Sequence, residues 1–207
     1  MIGDFYLKFA VTDIYMKNNK LNLLIAVGLI IMAGSARIVN HEMHLYNFAP
    51  VCALGLFSGV VIKDRRIALL LPLLAQLMGD LYFSLFTQWE GFYGIEQVCV
   101  YAALLAVTFM GTFVGQPKPL KVFGYTLAGA TAFFLLSNFG VFLSMSFGKT
   151  DLYHYGTGFT GLANTYIAAI PFFKNTLIGE LSGSILLFGA YYLLQQATLR
   201  KAQPAKA

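Results

Sequence analysis

The chain has 207 residues, 58% hydrophobic and 11% charged, with a net charge of +5 and a mean hydropathy of +0.69. Soluble domains carry about 25% charged residues, so the composition excludes a soluble globular domain and is that of an integral membrane protein. The positive balance does not indicate nucleic acid, because the basic residues sit in short connections between apolar runs, where membrane topology signals are found.

The first twenty residues, MIGDFYLKFAVTDIYMKNNK, scatter Asp4, Lys8, Asp13 and Lys17 among apolar positions. That breaks the h-region of any cleavable signal peptide. A membrane helix needs about 20 residues, and the candidate runs are 20–37, 49–62, 67–86, 96–115, 122–146 and 173–198. The second is short, opens on the NFAP turn at 47–50 and closes on KDRR at 63–66. KDRR cannot lie in hydrocarbon and reads as a topology determinant. Pro72 falls early in the third run, where a missing amide donor does least harm. Between the fifth and sixth runs, GLANTYIAAIP is expected to form a short interfacial or re-entrant helix stopped by Pro171. The expectation is an all-α, polytopic membrane protein: one transmembrane domain over residues 1–207, with six transmembrane helices.

With both termini cytoplasmic, the inner cations are Lys8, Lys17, Lys20, Lys63, Arg65, Arg66, Lys118, Lys121, Arg200, Lys201 and Lys206. The outer ones are Arg37, Lys149 and Lys174, so the fourteen divide eleven to three. This is the bias that the positive-inside rule requires.

Orientation gives each intramembrane polar residue a depth. At 1.5 Å per residue, Asp80 lies roughly 9 Å below the outer surface, Asn138 roughly 12 Å and Glu180 roughly 10 Å, with Asn175 near the surface. Gln76 and Asp80 share a helix face, as do Thr176, Glu180 and Ser184. The outer loops add Arg37, His41, Glu42, His44 and Asn47, then Glu90, Tyr93 and Glu96, then Asp151, His154, Tyr155 and Tyr166. Aromatic residues are interleaved: Tyr46, Phe48, Trp89, Phe92, Tyr153 and Phe159. A polar floor under an aromatic mouth is how small-molecule sites are built. The expected substrate-binding residues are therefore Arg37, Asn47, Asp80, Tyr93, Asn138, Tyr166, Asn175 and Glu180, with Asp80, Asn138 and Glu180 lining one outward cavity.

Other readings of the same residues stand beside this one. Interfacial aromatic residues serve as anchors, and Asp80 or Glu180 could pair with Arg37 or Lys174 as internal staples. All three histidines fall in predicted loops, and HEMH lacks the convergent ligands of a metal site. Cys52 and Cys99 read as small core residues. The glycines at 55, 59, 124, 129, 179, 183 and 189 suit close helix packing.

NFAP, the short span ending in KDRR, PLLAQLMGD at 72–80, SNFGVF at 137–142 and AAIPFFKNTLIGEL at 168–181 resemble an uncharacterised family of small bacterial membrane proteins usually labelled as transport proteins. More distantly, the layout is similar to the substrate-binding S components of energy-coupling-factor vitamin transporters. That resemblance implies an S-component-like bundle in the bacterial cytoplasmic (inner) membrane, with both termini cytoplasmic and a ligand held near the outer face. S components dock their coupling subunit through an Ala-xxx-Ala surface on the first helix. Here the small residues gather instead at 33–36.

The function expected is capture or transport of a small, vitamin-like nutrient from the outer face, with the lipid bilayer and energising subunits as partners. No cofactor, metal or nucleic acid is expected. Without a Walker motif, ATP hydrolysis would need other subunits. The alternative is an accessory structural subunit of a larger membrane complex. An enzyme is not expected, since no span carries an activated nucleophile.

Overall fold

The computed structural model describes residues 19–45, 47–48, 50–148 and 154–202. The N-terminal stretch 1–18, Tyr46, Lys149, Asp151, Tyr153 and Lys206 lie outside them.

Six α-helices and no strand occur among the described residues: α1 Asn19–Glu42, α2 Val51–Val61, α3 Arg65–Phe86, α4 Ile95–Gly111, α5 Pro119–Ser146 and α6 Gly158–Ala202. Four of these are long and apolar enough to cross a membrane: α1, α3, α5 and α6. The other two fall short, with 11 residues in α2 and 17 in α4. At 1.5 Å per residue they reach about 16 and 26 Å, against a hydrocarbon core of about 30 Å. The expectation of six full crossings is corrected to four long helices and two short ones.

The short α2 is the centre of the molecule. It touches every other helix, while the outer five contact one another in the order α1, α3, α4, α5, α6. Among the described residues α6 and α1 do not meet, so the outer ring stays open there. This explains why α2 is apolar on all sides: a helix covered all round has no wet face to carry polar residues. Val51 to Ser58 are all buried, and Leu54 and Leu56 pack with Leu104, Val107 and Phe188 in the core.

Local chemistry fixes the helix ends and crossings. The Asp64 carboxylate caps α3, accepting from the Arg66 and Ile67 amides. Pro72 lies inside α3, and its ring leaves the Ala68 carbonyl without its helical donor. The Ser58 hydroxyl, two turns into α2, donates to that carbonyl at 2.8 Å. Gly59 of α2 lies directly against the Thr108 carbonyl of α4, so any side chain there would strike backbone.

The other glycines divide. Gly183 packs on Pro50 and Ala53, whereas a side chain at Gly124 or Gly189 would meet nothing among the described residues. The small residues at 33–36 include Ala33 and Gly34, which bury against α3 beside Met78.

Two further expectations are overturned. Pro171 does not stop a helix: α6 runs through it without a break, for 45 residues. A proline removes one backbone hydrogen bond, a loss that a long apolar helix packed on its neighbours tolerates. His41 and Arg37 do not lie in a loop, because α1 continues to Glu42.

Candidate functional site

The C-terminal ends of α1, α3 and α5 and the N-terminal ends of α2, α4 and α6 meet at one end of the bundle. There they enclose a cavity of about 690 Å³. Of the expected residues, Arg37, Asn47, Tyr93, Asn138 and Glu180 line it. Asp80, Tyr166 and Asn175 do not.

Asp80 was expected in the cavity wall; it lies behind that wall, with no solvent-exposed surface. Its Oδ1 accepts from Arg37 Nη1 at 2.6 Å and from Gln76 Nε2 at 3.3 Å. Its Oδ2 accepts from Gln97 Nε2 at 2.8 Å and from the Tyr101 hydroxyl at 2.9 Å. A buried carboxylate needs this many donors, since neither water nor lipid supplies any. The ion pair makes Asp80 the staple that its pairing with Arg37 would imply. It ties α1, α3 and α4 together.

Arg37 stands between Asp80 and the cavity. Its Nη1 also donates to the Gln76 carbonyl at 3.0 Å, and its guanidinium lies 5.1 Å over the Phe83 ring. The side chain passes directly across Gly79, whose missing Cβ leaves room for Nη1. The His41 ring packs on the same Phe83 ring, with centroids 4.7 Å apart, and on Trp89, at 5.4 Å.

Glu180 reaches the cavity floor, and its carboxylate serves another helix. It accepts from the Cys52 amide at 3.1 Å and from the Ala53 amide. These are orphan donors in the first turn of α2. Pro50, at the N-cap position, has no side-chain hydrogen bond to give them. Acceptor oxygens aimed at a helix N-terminus also suit the helix dipole. Glu180 therefore caps α2 from α6.

The remaining residues have plainer roles. Asn47 sits at φ 61°, a left-handed conformation that Asn tolerates better than most residues. The Asn40 side chain donates to the Phe48 carbonyl and holds this turn over the cavity. Tyr93 accepts from Gln76 Nε2 at 3.4 Å, and burial, with Asp80 adding to it, pushes its phenol up to about 12, against Arg37. It stays a neutral hydroxyl.

Asn138 donates to the Phe134 carbonyl at 2.8 Å. The Tyr166 hydroxyl donates to the Leu135 carbonyl at 2.9 Å and braces α6 on α5 outside the cavity. Asn175 is one position off the lining face; Thr176 lies on it instead, one turn from Glu180.

Sequence reasoning missed Gln97 and Tyr101 as partners of Asp80. With Tyr93 they form a ladder at spacing four along one face of α4 and its approach, which was the available signal. It also missed Phe133, Phe134, Phe172 and Phe173 as walls, since phenylalanines inside apolar runs read as generic core.

A family of unknown function, DUF6580, matches residues 17–204. No curated protein and no solved structure matches the chain.

Proposed function

We propose that this chain, which belongs to the DUF6580 family, is a membrane protein that captures a small organic molecule in the cavity at one end of its bundle. The supporting observation is the cavity itself. Its volume of about 690 Å³ falls within the range of about 300–1,000 Å³ that holds small ligands. Gln76, Thr176 and Glu180 supply polar groups at its base, and aromatic rings from four segments of the chain form its sides.

Orientation follows from charge. Lys63, Arg65, Arg66, Lys118 and Lys121 lie in or beside the 62–64 and 112–118 connections, at the end opposite the cavity. The positive-inside rule puts that end in the cytoplasm and the cavity mouth outside. In this reading the six helices form an S-component-like bundle in a bacterial inner membrane, both termini are cytoplasmic, and energising subunits complete a transporter. Arg37, Asn47, Tyr93 and Asn138 contact the ligand, while Asp80 and Glu180 hold the walls in place.

Native mass spectrometry of the detergent-purified full chain tests the reading. A non-lipid small-molecule adduct is expected, with occupancy lowered by Asn138→Trp, which fills the cavity. Lipid adducts alone, equal in both proteins, would favour the accessory-subunit alternative.

A further inference from the structure

We propose that Arg37 anchors the ligand, through the guanidinium edge that the protein leaves open, and that the anchored group is an uncharged planar oxygen acceptor. An amide, imide or ureido carbonyl on an aromatic ring has this chemistry. The proposal rests on the capture reading above and specifies what is captured.

A guanidinium has five N–H donors. Nη1 is engaged by the Asp80 carboxylate and the Gln76 carbonyl, and the guanidinium packs over Phe83. Among the described residues, Nε and Nη2 make no hydrogen bond or ion pair. Three N–H donors therefore remain on a side chain that is 18% exposed and lines the cavity. Unpaired donors in a low-dielectric site favour an acceptor strongly, and the planar fork suits a planar oxygen group.

Charge decides which acceptor. Asp80, behind the wall, already balances Arg37, and the acidic side chains that line the cavity itself are Glu96 and Glu180. An anion on Arg37 would have to share that one guanidinium with the Asp80 carboxylate, because among the described residues no other Lys or Arg lines the cavity. A cation would meet Arg37 itself. An uncharged carbonyl fills the fork without adding an unbalanced charge. The ring it sits on is matched by Phe133, Phe134, Phe172 and Phe173, which offer stacking and edge contacts.

Trp89, the chain's single tryptophan, lines the same cavity, so its fluorescence reports occupancy. The purified full chain is titrated with three probes of one shape: benzamide, benzoate and benzylammonium. Benzamide is expected to bind about tenfold more tightly than either ion. Arg37→Lys keeps the charge opposite Asp80 and removes the fork, so it should cost benzamide about tenfold with the fold retained. Tighter binding of benzoate or benzylammonium sinks the inference and leaves capture standing. So does an unchanged benzamide affinity in folded Arg37→Lys. The wild-type ranking needs no variant, so misfolding of Arg37→Lys does not spare the proposal. Silence from all three probes sinks the inference, and the native mass spectrum of the same preparation decides whether capture stands.

Discussion

Four donors converge on the Asp80 carboxylate, two on each oxygen, and the substitution Asp80→Asn turns one of those oxygens into a donor. An Asp80 that lined an open cavity would be expected to take that change with the fold intact. With Asp80 closed into an ion pair, the expectation reverses: Arg37 loses its counter-charge, at a cost of about 3 kcal/mol, the low end for a buried pair because its side chain is 18% exposed. The melting temperature in detergent should fall sharply. The double variant Asp80→Asn/Arg37→Gln should recover part of the loss, because no uncompensated charge remains.

Glu180 makes a different prediction. Glu180→Ala strands the Cys52 and Ala53 amides, at about 1–3 kcal/mol for each unsatisfied group. In a Cys99→Ser background, the buried Cys52 thiol should then react measurably faster with maleimide. The shared face of Gln76 and Asp80 was legible from spacing alone. The partners of Glu180 were not, because a backbone amide has no side-chain signature in a sequence.

At the scale of elements, α2 and α3 illustrate how a local defect is repaired by a neighbour. Pro72 frees a carbonyl and Ser58 occupies it, so the two residues should be coupled. Ser58→Ala alone should cost about 1–2 kcal/mol. In a Pro72→Ala background the restored helical N–H takes over, and the same change should cost clearly less. Equal costs in the two backgrounds would mean that the hydroxyl acts elsewhere.

Gly183 faces Pro50 and Ala53, so Gly183→Leu should lower the melting temperature, while Gly124→Leu, which points into open space, should not. Existence and order of the helices were legible from apolar runs. Their ends were not. The run at 49–62 did not reveal that its helix starts at Val51 and is sheathed by five others. Pro171 was misread because proline's local cost is visible in sequence, whereas the packing that absorbs it is not.

For the whole molecule, the clustering of polar residues at one end was legible, because three of the six runs carry one at a similar counted depth. Which of them face the cavity was not: Asp80 is closed off behind the wall, Glu180 reaches the floor while it caps α2, and neutral Gln76 and Thr176 complete the base. The charge asymmetry gives a global prediction. Single cysteines placed at 64 and 118 in a Cys52→Ser/Cys99→Ser chain should resist impermeant maleimide in intact cells and react after permeabilisation. Labelling from outside would invert the molecule.

The cap on α2 also bears on how the chain is made. Cys52 and Ala53 wait for a carboxylate that lies 128 and 127 residues further along. At synthesis rates of about 5–20 residues per second, that carboxylate is polymerised roughly 6–25 s after them. During that interval the first turn of α2 lacks its cap, although α3, α4 and α5 are made before the helix that supplies it. A nascent chain in this state needs shelter inside the insertion machinery, and α2 settles last although it is made second. Ribosome-bound chains stalled before residue 158 should therefore leave Cys52 open to alkylation, and chains extended through α6 should close it.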